Sequence, residues 1–209
     1  MDTERWRRLM ERLHLPPALD TFARLVQVHT AAERHYHNAR HIAHCLAELD
    51  TAAPHIPDPD PIELALWFHD AVYDPHSASN EADSAQWAAD FLQECQAPQA
   101  LSDTVVALIL ATRHQPGALS LTTQWMVDID LAILGSDRER FAAYERTIRQ
   151  EYAWVPETVF REKRTAILRS FLDRPAIYAT HYFREKYEAQ ARVNLVGSIR
   201  ALAQPPETE

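Results

Sequence analysis

Imidazole and carboxylate side chains occur at three widely separated places in the chain, each in or beside a segment with helical apolar periodicity. The first is His41, the second is the adjacent pair His69 and Asp70, and the third is Asp128 or Asp130. Burying such groups is costly unless something pairs with them, and a divalent cation is one such partner. A cation bound by imidazoles and carboxylates draws its ligands from different elements and keeps positions open for water and substrate. The pattern therefore predicts a metal site.

Only one of the two later aspartates is expected to reach the cation. They lie two positions apart, so on a helix their side chains point about 200° away from each other. The helix predicted over residues 122–135 is apolar apart from Asp128 and Asp130, and Gly135 would be its C-cap. The residues alone leave open which aspartate is the ligand.

Further polar residues flank the three ligand positions. His37 would lie one turn from His41 if the helical geometry already begins at His37. Glu81 falls in a first helical turn, where it has either an ordinary electrostatic role or a role in the site. His114 follows an apolar helix, where a cation is favourable, unless it contacts substrate or a second metal. Three arginines either bind phosphate oxygens through their forked guanidinium groups or are ordinary surface residues: Arg34, Arg40 and Arg113.

The elements that must position these residues are helices. The chain has 209 residues and only 3 Gly, and its apolar residues recur at spacings of three and four, which indicates an all-α fold in one domain. Asn38 can cap the third helix, and Asp60 as the N-cap with Pro61 at the first helical position is a typical start of the fourth. Residues 204–209 are expected to be a flexible tail. Helices are predicted near residues 3–14, 17–30, 38–50, 60–70, 80–96, 102–113, 122–135, 137–152, 156–173 and 181–203.

The charge and the distribution of apolar residues limit which binding partners and which cellular compartment are expected. The formal net charge of -9 argues against duplex nucleic acid, which requires a basic face, but a small phosphorylated substrate is compatible with a metal and a few arginines. The N-terminus lacks the apolar core of a secretory signal and no run is long enough to span a membrane, so a cytoplasmic protein is expected. Cys45 and Cys95 lack the spacing of a zinc or redox motif and should be reduced. Apolar stripes on the terminal helices would permit a homodimer.

Four segments together resemble the HD-domain superfamily of metal-dependent phosphohydrolases, whose signature is H…HD…D. A group of bacterial predicted HD-superfamily hydrolases is especially similar, and the first segment also resembles the Tyr-His-Asn-x-x-His motif of cyclic-nucleotide phosphodiesterases. The resemblance covers roughly residues 20–200, which would form the core of one domain over 1–209. It implies a single-domain HD-type helical bundle with the metal site at its centre. The four segments are Tyr36–Ile42, Trp67–Asp74, Asn80–Ala85 and Asp128–Gly135.

Carried over to this chain, the resemblance implies that His41, His69, Asp70 and one later aspartate bind the metal. Asp130 is favoured, because the second carboxylate of an Asp-x-Asp motif is usually the ligand in related proteins, and Asp128 is the competing assignment. The implied cofactor is a divalent transition metal, namely Mn, Fe, Co, Zn or Ni, with one ion expected rather than two.

The resemblance also implies catalytic roles. His37 matches the phosphodiesterase histidine that protonates the leaving oxygen, unless it supports the helix cap or a ligand instead. Asp74 matches an acidic residue near the attacking water of (p)ppGpp hydrolases, although Tyr73 stands where those enzymes have Glu. Together with Glu81 these residues form the expected catalytic set, and Arg34, Arg40, Arg113 and His114 form the expected substrate-binding set.

The expected reaction is hydrolysis of a small phosphate ester, such as a nucleotide, a cyclic nucleotide or another phosphomonoester, by a metal-activated water. One alternative is a di-iron HD-type oxygenase, which would need two metals and further histidine ligands, for which His76 and His114 are the available donors. Another alternative is a non-catalytic, metal-containing nucleotide sensor.

Overall fold

The computed structural model describes residues 1–114 and 119–204, and every regular element within these ranges is helical. The all-α prediction is therefore confirmed. The tail expected at 204–209 lies, apart from Gln204, outside the described residues. Contacts divide the chain into two compact units, a first unit over Met1–Asp130 and a second unit over Leu131–Glu209.

The described part of the first unit contains seven α-helices and a 3-10 turn at Ala53–His55. The helices are α1 (Thr3–Arg12), α2 (Leu19–His29), α3 (Ala39–Ala52), α4 (Asp60–Phe68), α5 (Asn80–Glu94), α6 (Gln99–Ala111) and α7 (Leu121–Asp130).

Helix α4 is the central element of the first unit. Every residue from Pro61 to Phe68 is buried, and the helix packs against α1, α3, α5, α6 and α7. A helix that is apolar around its whole circumference belongs in the interior of a domain. Its C-terminal end, where His69 and Asp70 follow, therefore lies among the other helices of the unit.

Helix α1 fixes the outer side of α4 through one aromatic ring and one carboxylate. Trp6 is fully buried, and its ring centroid is 5.9 Å from that of Trp67. Glu63 is the only charged side chain of α4 in the interior, and it accepts hydrogen bonds of 2.7 Å from Arg5 Nε and Arg12 Nη2. Two guanidinium groups therefore compensate the charge of Glu63, so α4 can stay buried.

The cap predicted for α3 is confirmed, whereas the start of α4 differs from the prediction. Asn38 accepts a hydrogen bond from the backbone N–H of Arg40 at 2.9 Å. Asp60 is the first residue of α4 rather than its N-cap, which is Pro59. The carboxylate of Asp60 instead accepts a hydrogen bond from Arg12 Nε at 2.8 Å, because α1 brings this arginine to it.

The single helix predicted over 122–135 is wrong in its last third. The α-helix ends at Asp130, and a 3-10 segment at Leu131–Gly135 follows. Gly135 does not act as a left-handed C-cap, since no glycine of the described residues has a positive φ. A Cβ atom at Gly135 would lie 2.4 Å from Tyr187 Cβ, so glycine is required there by close packing.

The second unit continues from the 3-10 segment with four α-helices in its described part. Asn194 ties the first segment to the last helix, because its Nδ2 donates to the carbonyls of Leu134 at 2.9 Å and Ser136 at 2.8 Å. The elements are α8 (Arg138–Glu151), α9 (Glu157–Leu172), α10 (His181–Phe183), a π-helical turn (Arg184–Glu188) and α11 (Ala189–Ala203).

Candidate metal centre

Two imidazole rings approach each other in the interior of the first unit. Because Asn38 caps α3, His41 lies in the first turn of this helix, and only 4% of its surface is exposed. His69 is the C-cap of α4 and is 2% exposed. The Nε2 atoms of the two rings are 3.1 Å apart. Two potential metal-binding nitrogens thus lie side by side at the buried end of α4.

Two carboxylates lie against the same nitrogen atoms. Asp70 Oδ2 is 3.1 Å from His69 Nε2 and 3.5 Å from His41 Nε2. Asp130 Oδ1, from the last residue of α7, is 3.1 Å from His41 Nε2 and 3.5 Å from His69 Nε2. Helix α3, the turn after α4 and the end of α7 therefore each supply ligand atoms to one place, which we call the four-residue centre.

The spacing within the four-residue centre is that of ligands around one cation. Bonds of about 2.1 Å to nitrogen and oxygen place neighbouring ligand atoms roughly 3.0 Å apart in an octahedron and about 3.4 Å apart in a tetrahedron. The five separations given above lie between 3.1 and 3.5 Å. The centre can therefore hold a divalent ion without large movement of its side chains.

Cys45 also belongs to the group of buried side chains that could hold a metal. One ligand atom each from His41, Cys45, His69 and Asp130 lies within 4.8 Å of the others. However, Cys45 Sγ is 3.7 Å from both Nδ1 and Nε2 of His41. An atom equidistant from the two ring nitrogens lies above the ring or beyond Cε1. From either position it would be roughly 4 Å or more from a metal on the Nε2 lone pair, whereas a metal–sulfur bond is about 2.3 Å long. The geometry therefore favours Asp70 over Cys45 as the fourth ligand.

The surroundings of Asp70 Oδ2 are suited to a bound cation. It is buried and has no hydrogen-bond partner, although His69 Nε2 is only 3.1 Å away. The Nδ1 atom of His69 is 3.0 Å from the carbonyl of Leu66, which fixes a proton on Nδ1 and turns the Nε2 lone pair to the centre. Two electron-rich atoms in such contact repel each other unless a proton or a cation lies between them.

Electrostatics point in the same direction. Burial lowers the pKa of His41, which is therefore neutral at pH 7. Burial also disfavours charge on His69, but the carboxylates of Asp70 and Asp130 outweigh it and raise the pKa of His69 well above its usual value. Against the effect of burial, contacts with histidines lower the pKa of both aspartates. Without a cation, a proton on Nε2 of His69 therefore lies in the contact with Asp70. A divalent cation would displace this proton and supply the second positive charge that the two carboxylates lack.

Arg34 holds the backbone on which Asp70 stands. Its guanidinium donates to the carbonyls of Asp70 and Ala71, and to that of His37 at 3.2 Å. Its Nη1 also lies 3.4 Å from Nδ1 of His29. These contacts make Arg34 a positioning residue for the backbone of Asp70, and its expected contact with phosphate stays a prediction.

His37 lies beside the four-residue centre but outside α3. The helix begins at Ala39 and the backbone of Asn38 is extended, so the helical turn from His37 to His41 considered above does not form. The two ring centroids are nevertheless 6.2 Å apart. The His37 ring stacks on Tyr73 with centroids 4.1 Å apart, and its charge contributes to the low pKa of Asp70.

Four of the other expected catalytic and substrate-binding residues make no contact with the ligand atoms of the centre. Asp74 is exposed, and its carboxylate accepts a hydrogen bond from the backbone N–H of His76 at 2.9 Å within a loop turn. Glu81 and Arg113 face each other, with Oε2 and Nε 3.7 Å apart. The side chain of Arg40 is exposed. Of these residues, none contributes to the four-residue centre.

Asp130 and His114 form a second contact at the edge of the centre. His114 Nε2 is 3.0 Å from Asp130 Oδ2, the oxygen that does not face His41. His114 has a φ of 53°, a left-handed conformation that costs a non-glycine residue roughly 1 kcal/mol. Asp128 is fully buried in α7, and its carboxylate is not part of the described centre.

His29 is a buried residue near the centre that the sequence interpretation missed. It is fully buried at the end of α2, and its Nε2 is 3.3 Å from the carbonyl of Trp67. Burial lowers the pKa of His29 to about 4. One signal was available, because His29 continues the buried stripe of Phe22 and Leu25 at spacings of three and four.

Comparisons of this chain with protein-family models, with curated proteins and with solved structures found no match. Within residues 1–114 and 119–204, no helix has both the length and the apolar character that a membrane span requires. What can be inferred about function therefore depends on the geometry of the centre and on the motifs that carry the HD resemblance.

Proposed function

We propose that this chain is a metal-dependent phosphohydrolase that cleaves a small phosphate ester. The observation that carries the proposal is the buried four-residue centre, in which two imidazole nitrogens and two carboxylate oxygens lie at ligand spacing. The resemblance to the HD-domain superfamily supports the phosphoryl chemistry, because the four motif positions are those that supply the ligand atoms.

The metal would be held by His41, His69, Asp70 and Asp130. A divalent cation in such a site activates water at neutral pH and neutralises charge on a phosphoryl group. A mixed set of imidazoles and carboxylates suits Mn, Fe, Co, Zn or Ni better than Mg. Because the pKa values of Asp70 and Asp130 are lowered, both carboxylates are ionised at neutral pH and would offer two negative charges to the cation.

The protein groups around the centre would orient the reaction. His69 is fixed by its Nδ1 contact to Leu66, so its Nε2 points to the ligand position. Arg34 holds the carbonyl of Asp70 and thereby the direction of this side chain. His37 stands next to the centre with Tyr73 stacked on one face, where it would donate a proton to the leaving alkoxide.

Metal content and turnover test the proposal together. The purified protein should contain close to one equivalent of transition metal and should hydrolyse at least one ester in a panel of phosphomonoesters, nucleotides and cyclic nucleotides. Asp70→Asn should lower metal affinity by about 100-fold or more and abolish turnover. The matched control is Asp58→Asn, because Asp58 is an exposed aspartate outside the centre. Metal-independent turnover, or none on any phosphate ester, would contradict the proposal.

A di-iron oxygenase is the second candidate, and one contact favours it. His114 Nε2 lies 3.0 Å from Asp130 Oδ2, so His114 and Asp130 together would help to hold a second ion. His76, the other donor considered, is exposed in the loop before α5. Two equivalents of iron and consumption of oxygen would favour this reading. Tight nucleotide binding without product release would instead favour the sensor.

A further inference from the structure

A surface groove in the second unit runs between α8 and α11 and encloses about 830 Å³. We call it the α8–α11 groove. Its lining is mainly apolar and includes Phe141 and Ala142 from α8 and Val193 and Val196 from α11. Val193 keeps 65% of its surface exposed, an uncovered apolar side chain at this position. The groove has no role in the proposed phosphohydrolase and is independent of it.

The uncompensated charge around the α8–α11 groove is positive. Among its charged lining residues, Glu145 is paired with Arg164 and accepts a hydrogen bond from Ser198, and Arg192 is paired with Glu188. Within residues 1–114 and 119–204, no hydrogen bond or ion pair engages the guanidinium groups of the three remaining arginines. These are Arg138, Arg146 and Arg200. In a chain with a formal net charge of -9, such a patch favours an acidic partner.

Gly197 is a second, independent observation at the same groove. It lies inside α11, where glycine is less favourable than alanine. Apart from its chain neighbours and the backbone of α11, no atom of the described residues would lie within 4 Å of a Cβ atom added at Gly197, so packing among them does not require glycine. Gly135, by contrast, is required by Tyr187. A glycine with open space above it allows another backbone to approach closely.

We propose that the α8–α11 groove binds a short amphipathic helix, with acidic residues beside its apolar stripe, from a partner protein. The α11 residues that line the groove, 192–201, extend over about 14 Å, which is two to three turns. A docked helix of that length presents apolar side chains at spacings of three, four and seven. A symmetric contact with a second copy would instead bring two positively charged patches together, which is unfavourable.

The first test uses a capped, fluorescein-labelled 14-residue peptide with leucine at i, i+3, i+4 and i+7, glutamate flanking the leucines and alanine elsewhere. Fluorescence anisotropy with the full chain should give saturable binding. The double variant R146E/R200E should bind this peptide about tenfold more weakly or worse. R8E/R169E changes the net charge equally at two exposed arginines outside the groove and should bind within about twofold of wild type.

The second test fills the groove without removing a charge. Gly197→Leu should weaken peptide binding about tenfold or more and should leave the melting temperature equal to or above that of wild type, because leucine replaces a glycine within a helix. The proposal is overturned if wild type shows no saturable binding, if a peptide with lysine in place of glutamate binds equally well, or if Gly197→Leu binds normally. A concentration-dependent dimer that Gly197→Leu abolishes would identify a second copy as the occupant and overturn it as well.

Discussion

The buried ring of His29 should make the stability of this protein depend on pH between about 6.5 and 4. In the folded state Nε2–H donates to the carbonyl of Trp67 and Nδ1 accepts from Arg34, which requires the neutral ring. Burial, with a further contribution from the Arg34 charge, lowers the pKa of His29 to about 4. Because an unfolded histidine titrates near 6.5, the unfolded chain binds the proton first as the pH falls.

The size of the effect follows from the two pKa values. The stabilisation from a neutral His29 is complete above the unfolded pKa and is lost as the pH falls toward the folded one. With pKa values of about 6.5 and about 4, the loss is roughly 0.2 kcal/mol at pH 7 and about 2 kcal/mol at pH 5. Lowering the pH from 7 to 5 should therefore remove about 2 kcal/mol through this residue alone.

Urea denaturation at pH 7 and pH 5, with a chelator present, measures this loss. Other groups also titrate in the window, so the informative quantity is the difference between wild type and His29→Gln, whose neutral amide can still donate to the Trp67 carbonyl. Wild type should lose about 2 kcal/mol more than His29→Gln between the two pH values. His35→Gln, at an exposed histidine, should behave like wild type. Equal losses in wild type and His29→Gln would refute the reasoning.

Three further outcomes are expected. Gly135→Ala should destabilise the fold by about 2 kcal/mol or more, measured by thermal melts, because the added Cβ would overlap Tyr187 Cβ. Gly197→Ala should not destabilise it, because there is open space for the added Cβ. Arg34→Met should weaken metal binding roughly 10- to 100-fold by titration calorimetry while Arg40→Met leaves it unchanged, since only Arg34 holds the Asp70 carbonyl. Metal at about 100 times its Kd should raise the melting temperature by roughly 5–10 °C, and excess chelator should reverse the rise.

Helical periodicity predicted the fold class well because burial in this chain follows local patterns. The stripe of Ile42, Cys45, Leu46 and Leu49 is buried as its spacing predicts, and Asn38 caps α3. The error at the end of α7 has a nonlocal cause. Gly135 resembles a C-cap in sequence, but the glycine is needed because Tyr187, fifty-two positions later, packs against it.

The side chains of the candidate centre could be predicted from the sequence, because imidazoles and carboxylates are unusual in apolar helices. The two-residue spacing of Asp128 and Asp130 indicated that only one of them reaches the centre, and the structure brings Asp130 to His41 and His69. The positioning role of Arg34 could not be predicted from the sequence. Its contacts are with main-chain carbonyls, and no pattern of side-chain types reveals which carbonyls a fold leaves without donors.

Hydrogen bonds to the carbonyls at the end of α4 hold the candidate centre in place even without a metal. The last four carbonyls of a helix have no partner within it, and in a buried helix each needs a donor from elsewhere. The carbonyl of Ala65 accepts a hydrogen bond from the backbone N–H of His69, and that of Leu66 accepts one from Nδ1–H of the same residue. The carbonyl of Trp67 accepts one from Nε2–H of His29, and that of Phe68 accepts one from the backbone N–H of Ala71. Arg34 then donates to the carbonyls of the two residues that follow His69. The same bonds that satisfy the helix end fix the ring of His69 and the backbone of Asp70. The ligand side chains should therefore be ordered before any metal binds. Little of the free energy of metal binding would then be used to order the site.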